Sequence, residues 1–416
     1  VGIKNIVKSA ARRLPSPVAK SLVSACWLIR SKGYERGWRL LRFACSKVGG
    51  RFEEGGPARG VFDFQGLASD QGSAVDFEIH DYKETSAEFH GGRGGVDTFT
   101  DNPTIPETIA AGSFCDAIVD GATSAVTDAD GKLIAEISPY TRCSNAPDPW
   151  DHKIFTKFGV KTRSEYLSGR SMILSSANDE VFFHWLLEVV PKLWVRENSH
   201  PDYVPDRFLI SRHKPFVDAT LTAAGIEDRV HVMEPGVRYL CDEVWGCGEI
   251  TPQGGIKSYS DWLRELILGK ETANADRKGD GEIVYIHRPE KDMRSVANQD
   301  KIADGMRDLG ANVVDLGALP LAEQAAVFDG ARLIVGAHGS ALANLVFCRA
   351  GTSVVELFSP GYVRLLYPRI GDQLGLDYHC WVGEGEMERP NQPGIYDDIR
   401  IDPDSLLKLV AKLANR

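Results

Sequence analysis

The run Leu333-Ile334-Val335-Gly336-Ala337-His338-Gly339-Ser340 passes from an apolar strand through a Gly-x-His-Gly turn into a stretch of helical character ending near Asn344. A strand that turns this tightly into a helix aims backbone N–H groups, and the positive end of the helix dipole, at one point. Gly336 and Gly339 let a ligand approach the backbone closely. The chemistry served by such a turn is the binding of a pyrophosphate. A second strand, Ser353-Val354-Val355-Glu356-Leu357-Phe358, follows at once, and its carboxylate is placed to hold ribose hydroxyls. Gly336, His338, Gly339, Ser340, Asn344 and Glu356 together predict a nucleoside-diphosphate site. Taken singly, His338 and Asn344 also suit capping of a helix start.

Two further groups add to this. Tyr285-Ile286-His287-Arg288 ends a predicted strand, and Arg294 follows six residues later. In an open parallel sheet, ligands sit beyond the carboxyl ends of the strands, where two arginines neutralise a diphosphate and stabilise it as a leaving group. His184 and Glu188 stand four apart on a predicted helix and share a face. A histidine oriented by a carboxylate is a candidate general base, with Glu188, Asp179 and Glu180 as alternatives. The competing readings are solvated loop arginines and a helix whose polar residues satisfy nearby backbone.

The elements that position these groups alternate from about residue 171. Strands are predicted over 172–174, 208–210 and 230–232, and helices over 180–198, bent at Pro191, and 215–224. A second series follows: strands 283–286, 312–316, 333–335, 354–357 and 378–382, with helices over 299–309, 322–328, 340–347 and 363–374. Asp402-Pro403 starts a last helix, with Asp as N-cap and Pro in the first turn. Alternation of this kind implies parallel sheets with helical crossovers. Residues 61–150 are turn-rich, with a hairpin around Asp130-Gly131. The Asp128-Ala129-Asp130 triplet inside it reads as turn chemistry rather than a metal motif.

A chain of 416 residues exceeds one typical core. The division expected is a basic helical segment over 1–52, an N-terminal α/β domain with a β-rich start over 53–250, a Rossmann-like nucleotide domain over 251–385, and a tail with a helix over 386–416. The net charge of −10 conceals a net +11 within residues 1–52, which leaves −21 on the remainder. Apolar residues at helical spacing in that basic segment (Ile3, Ile6, Val7, then Leu22, Val23, Trp27, Leu28) suit an anionic membrane surface or a solvated helical arm. The acidic body argues against nucleic acid. No secretory signal is evident, and eight scattered cysteines without a C-x-x-C pair suit reduced, mostly buried thiols in a cytoplasmic protein, peripheral on the inner membrane face at most.

Several of these blocks resemble glycosyltransferase family 61. Phe183-His184-Trp185-Leu186-Leu187-Glu188 with Pro191-Lys192-Leu193 is similar to its H-W-L-L-E-x-x-P-[RK]-L signature. Tyr285-Ile286-His287-Arg288 with Arg294 and Asn298 resembles its Y-I-x-R…R…N block. Gly336-Ala337-His338-Gly339 with Asn344-Leu345-Val346-Phe347 resembles its G-A-H-G-x-x-L-x-N-x-x-F block, and Val355-Glu356-Leu357 its closing V-[IV]-E-[LI]. The family often carries Asn-Tyr where Val181-Phe182 stand here.

The resemblance implies a GT-B architecture, two Rossmann-like domains facing a cleft, with the donor held mostly by the second. It also implies inverting transfer, usually from a UDP sugar, without an essential metal and with no cofactor beyond the donor nucleotide. Bacterial members occur in capsular and surface polysaccharide synthesis, so the expected acceptor is a glycan or lipid-linked glycan. Two rivals are a GT-B sugar-nucleotide epimerase, which needs no acceptor, and a non-catalytic nucleotide- or glycan-binding protein, which shows no turnover.

Overall fold

The computed structural model describes residues 60–61, 72–76, 88–91, 108–139, 152–156, 162–273, 281–288, 293–384 and 394–416. The basic segment 1–52 lies outside them. Two sheets organise the chain.

The C-terminal sheet is six-stranded and parallel throughout. Its order is Asn312–Val314, Glu282–Ile286, Ala331–Ala337, Ser353–Phe358, Asp377–Val382 and Glu88–Gly91. The chain runs outward in one direction from Glu282–Ile286 to Asn312–Val314, then returns to the other side of it for the rest. That reversal makes a topological switch point between Glu282–Ile286 and Ala331–Ala337, where the loops separate and leave a crevice. Ile286 is in register with Gly336, so Arg288 and His338 lie just past the crevice edge. These strands are buried on both faces, as their unbroken apolar runs dictate.

The other sheet has nine strands and is mixed. In its parallel half, Arg163–Leu174, Arg207–Ile210 and Val230–Val232 are joined by helical crossovers as alternation predicted, and Val237–Cys247, which is not among the predicted strands, follows after four residues and pairs parallel with Arg163–Leu174. The long strand Thr108–Asp120 then pairs antiparallel with Val237–Cys247. The Asp-Gly hairpin forms, with Thr127 opposite Leu133 and Gly131 in the left-handed region at φ 76°. The pure parallel sheet expected for a Rossmann-like N-terminal half is therefore only half of this one. Thr108–Asp120 escaped notice because glycine and acidic residues interrupt its apolar pattern, while pairing on both sides supplies the stability that local propensity lacks.

Two expected boundaries divide the sequence but not the packing. The strand Glu88–Gly91, from the β-rich start, completes the C-terminal sheet. The tail helix Pro403–Ala414 belongs to the same layer: Leu406, Val410 and Leu413 pack with Ile302 and Leu333. Its start is as read, with Asp402 accepting from the Ser405 N–H at 3.0 Å. One apolar cluster runs between the sheets and joins Met172, Trp185 and Trp245 to Ile334, Phe347 and Tyr378. Among the described residues no helix is long and apolar enough to cross a membrane.

The helix carrying His184 is not regular. Phe182–His184 is α-helical, Trp185–Val189 widens into a π-turn, and Pro191–Ser199 resumes the α-helix. Pro191 has no N–H for the Leu187 carbonyl four residues back. The buried Tyr259 hydroxyl donates to that carbonyl instead, at 2.8 Å. Inserted π-turns recur at functional sites, and this one begins just after His184 and contains Glu188. The signature residues around it are structural: Trp185 Nε1 donates to Thr220 Oγ1 at 2.7 Å, and the buried Lys192 ammonium donates to the Ser175 carbonyl at 2.8 Å. The stretch Ser340–Phe347 folds as a 3₁₀ helix rather than an α-helix. Leu342 through Phe347 are all buried, so it is a wedge between layers with no solvent-facing stripe.

Candidate active site

At the crevice two guanidinium groups converge on one carbonyl. Arg288 Nη1 donates to the His338 oxygen at 3.2 Å, and Arg294 Nε donates to the same oxygen at 3.1 Å. Burial, then the neighbouring Arg294, push Arg288 below its ordinary pKa; burial also lowers Arg294, opposed by Tyr362 and Tyr367. Both stay protonated at physiological pH, because guanidinium is too basic to neutralise. Among the described residues neither meets a carboxylate, and Arg288 Nε has no hydrogen-bond partner. A buried cation, Arg294, beside a half-buried one, Arg288, with no counter-ion among the described residues, forms an unmet demand for an anion.

The backbone is built to hold them there. Gln299 clamps the Arg288 peptide from both sides: its Oε1 accepts from the Arg288 N–H at 2.8 Å, and its Nε2 donates to the Arg288 carbonyl at 2.6 Å. Arg294 adopts φ 52°, a left-handed conformation rare for a side chain of its kind. It is fixed by a bond to the Ile395 carbonyl at 3.3 Å and by Tyr362, whose ring lies 5.4 Å from the guanidinium carbon. Strain of this sort persists where the surroundings over-determine it, typically at ligand clamps. Gly339 serves a close approach: a Cβ there would lie 2.7 Å from Arg288 Nη1. Gly336 has a packing role, since a Cβ would press on Ile286 at 3.0 Å.

His338 is held from below. Its Nδ1 is 2.6 Å from Glu356 Oε1, and the Tyr378 hydroxyl donates to Glu356 Oε2 at 2.8 Å. Burial raises the Glu356 pKa, with His338 and Tyr378 opposing. Glu356 is 0% exposed and both its oxygens are engaged, so the expectation that it takes ribose hydroxyls is corrected: it orients His338. The imidazole also stacks on Phe358, with centroids 5.3 Å apart. Tyr367 donates to the Gly339 carbonyl at 2.9 Å and stands edge-on to His338 at 5.6 Å.

Tyr367 also connects the two candidate centres. Its ring meets Phe183 edge-on at 5.7 Å, and Phe183 meets His184 at 5.1 Å. The His184 helix thus faces the Gly339-Ser340 turn, a contact that no local pattern announced. His184 Nδ1 lies 2.9 Å from Glu188 Oε2, both partly exposed. Burial works to lower the His184 pKa. The hydrogen bond and charge of Glu188, with the charges of Glu180 and Glu249, outweigh it and raise the pKa above the ordinary 6.5. Replacing Glu188 by Gln removes the main raising contribution. An imidazole NMR titration of E188Q is expected to place the His184 midpoint at lower pH than in wild type; an unmoved midpoint would show that Glu188 does not govern it.

Other predicted residues fall outside the reacting space. Asp179 is 2% exposed and accepts from the Ser175 and Ser211 hydroxyls, each at 2.7 Å. That corrects its candidacy as a base: it ties a loop together. Asn344 is fully buried, and its Nδ2 donates to Gln324 Oε1 and the Ala341 carbonyl, each at 3.0 Å, which makes it a support of the turn rather than a ligand contact. Asn298 Nδ2 donates to the Ile401 carbonyl at 2.7 Å and anchors the segment before the last helix. Ser340 stays partly exposed at the turn. Sequence reading missed Tyr362, Tyr367, Tyr378 and Gln299. The one available signal was Tyr362 and Tyr367 sharing a short stretch with Arg364.

No curated protein shows significant similarity to the sequence. Residues 182–355 match the family model described as Glycosyltransferase 61. The match opens on the helix of His184, takes in both arginines and the His338 turn, and stops one residue short of Glu356. Over residues 182–355, a little under half of the chain, the sequence is similar to glycosyltransferase family 61, which supports a glycosyltransferase.

Proposed function

We propose that the chain is an inverting enzyme of GT-B type. It moves a sugar from a nucleoside-diphosphate donor, UDP-linked by preference, to a hydroxyl of a glycan or lipid-linked glycan in surface polysaccharide synthesis. The observation that carries this reading is a pair of arginines, one buried and one half-buried, with no counter-ion among the described residues, at the switch point of a parallel sheet. A diphosphate supplies the missing charge there, and arginines replace the electrostatic work of a metal on the leaving group. Donor binding rests on Arg288, Arg294 and the Gly336–Ser340 turn, with Asn344 and Glu356 acting through that turn.

In the proposed step the acceptor oxygen attacks the anomeric carbon from the face opposite the diphosphate. The bond from that carbon to the phosphate oxygen breaks as the new one forms, and the nucleoside diphosphate leaves with the electron pair. His184 takes the acceptor proton, and Glu188 stabilises the resulting imidazolium. His338, held by Glu356, faces the leaving phosphate and stabilises its charge. The N-terminal sheet supplies the acceptor side through the helix of His184. Residues 1–52, basic and apolar by turns, would hold the enzyme at an anionic inner membrane face. Vesicle flotation with and without them tests that part separately, since equal flotation would remove it.

The deciding experiment is a thermal-shift series with UDP, GDP, TDP, CDP and CMP at equal concentration. A ligand that binds only the native state raises its stability, so UDP is expected to give the largest shift. A shift with CMP alone would overturn the diphosphate reading, and a shift with no nucleotide would overturn the donor site.

A further inference from the structure

We propose that Glu88, His90 and His379 form a site for one divalent transition metal of the zinc class, which fastens the strand Glu88–Gly91 to the C-terminal sheet. This site is separate from the donor crevice. Parallel pairing sets His379 opposite Glu88 and Trp381 opposite His90. Glu88 and His90, two apart on a strand, point to one face, and His379 joins them there. Tyr378, the neighbour of His379 in the same strand, points to the opposite face and bonds Glu356 beneath His338. The body of the sheet therefore separates this cluster from the chemistry proposed above.

The two histidines are within hydrogen-bond distance of each other, and the spacing of all three groups together fits a metal. His90 Nε2 and His379 Nδ1 are 3.1 Å apart, Glu88 Oε2 is 3.5 Å from His379 Nδ1, and Glu88 Oε2 is 3.8 Å from His90 Nε2. Ligands about 2.0–2.1 Å from a tetrahedral zinc ion are separated by about 3.3–3.4 Å, within the range of these three edges. Both Glu88 distances exceed those of well-formed hydrogen bonds, yet all three ligand atoms lie within 4.8 Å of one another. Two imidazoles and one carboxylate are a donor set suited to zinc and its first-row neighbours. Glu88 is largely exposed, which leaves the fourth position open to water.

A second group completes the arrangement. Metal-bound histidine generally turns its other ring nitrogen to a carboxylate, which fixes the tautomer and strengthens the ligand. His379 is 0% exposed, and its Nε2 lies 3.2 Å from Asp377 Oδ2 in a contact too bent to be a formed hydrogen bond. Ser353 Oγ donates to the same Asp377 oxygen at 3.0 Å, and Arg416 Nη1 at 3.4 Å. A cation on Nδ1 gives this buried ring a reason to be held in place and backed by a carboxylate.

The test uses the full chain without an affinity tag, stripped with a chelator and titrated with Co(II). One equivalent is expected to produce the visible bands of a four-coordinate site, and zinc is expected to abolish them by displacement. Zinc affinity, read by competition, is expected to fall at least about tenfold in His90→Gln and in Glu88→Gln, and about 10- to 100-fold in Asp377→Asn, the usual range for an outer partner. Circular dichroism reports whether each variant folds. Glu88→Gln, an isosteric change at an exposed position, carries the test if His90→Gln does not fold. Absence of bands in wild type, or wild-type zinc affinity in folded Glu88→Gln, would overturn the site. UDP binding is expected to survive metal removal, so loss of this site leaves the donor reading intact.

Discussion

Replacing Arg288 by alanine is expected to raise the dissociation constant for UDP about 10- to 150-fold, the equivalent of about 1.5–3 kcal/mol for a hydrogen bond to a charged group. Calorimetric titration of wild type and Arg288→Ala checks it. Arg288 is the better probe of the two arginines. Among the described residues its Nε has no partner, and its side chain bonds the His338 carbonyl alone. Truncation therefore removes charge from the crevice and leaves the backbone clamped by Gln299. Arg294 also ties the chain at Ile395 and holds a left-handed backbone, so its loss would mix binding with folding. Deleting one of two like charges also relieves their mutual repulsion, so Arg288→Ala is expected to be at least as heat-stable as wild type without ligand. UDP affinity equal to wild type would remove the arginine pair from the donor site.

The second large effect concerns turnover. His184→Ala is expected to lower kcat by about 10²–10⁴-fold, the usual contribution of a positioned general base, and to leave the dissociation constant for UDP unchanged. Initial rates of sugar transfer, paired with the same calorimetry, separate the two quantities. The pH dependence follows from the same group. A base must be neutral to accept a proton, and the His184 pKa lies above 6.5. Activity is therefore expected to fall as pH drops through that raised value, on the acid side of the profile. In Glu188→Gln the acid limb moves to lower pH while kcat on the plateau declines, because the imidazolium formed in the reaction loses its carboxylate. A His184→Ala enzyme with wild-type kcat would remove His184 from the base role and leave His338, already paired with Glu356, as the remaining histidine at the turn.

Much of the C-terminal half was legible because its signals are local. Short, β-branched apolar runs such as Leu333-Ile334-Val335 and Val354-Val355 read as buried strands, and the glycines and prolines between them mark the turns. A parallel sheet with ligand groups past its strand ends follows from that alternation. Arg288 and His338 could be placed at one edge from sequence alone, because each directly follows a strand, with Arg294 six residues past Arg288. The roles within the edge were not legible. Glu356 reads as a ligand group from its place near a strand end, but side-chain alternation turns it inward beneath His338, where Tyr378 takes its other oxygen. Asp179 reads as a candidate base from its type, but three serines surround it.

What the sequence determined alone, then, is most of the strands and helices after residue 171, though not the strand Val237–Cys247 or the helix Ser260–Leu268, together with the turn at Gly336–Ser340 and the family resemblance. These rest on spacing and on residues close in the chain. Tertiary structure alone decided which groups meet. It brought the helix of His184 to the Gly339 turn through Phe183 and Tyr367. It set two arginines on one carbonyl, and it drew the strand Glu88–Gly91 across 286 residues to pair with Asp377–Val382. The reason is physical. Local pattern records what each segment must bury, but not which partner buries it, and long-range pairing is chosen by the fit of whole surfaces at a cost in loop closure that no single segment encodes.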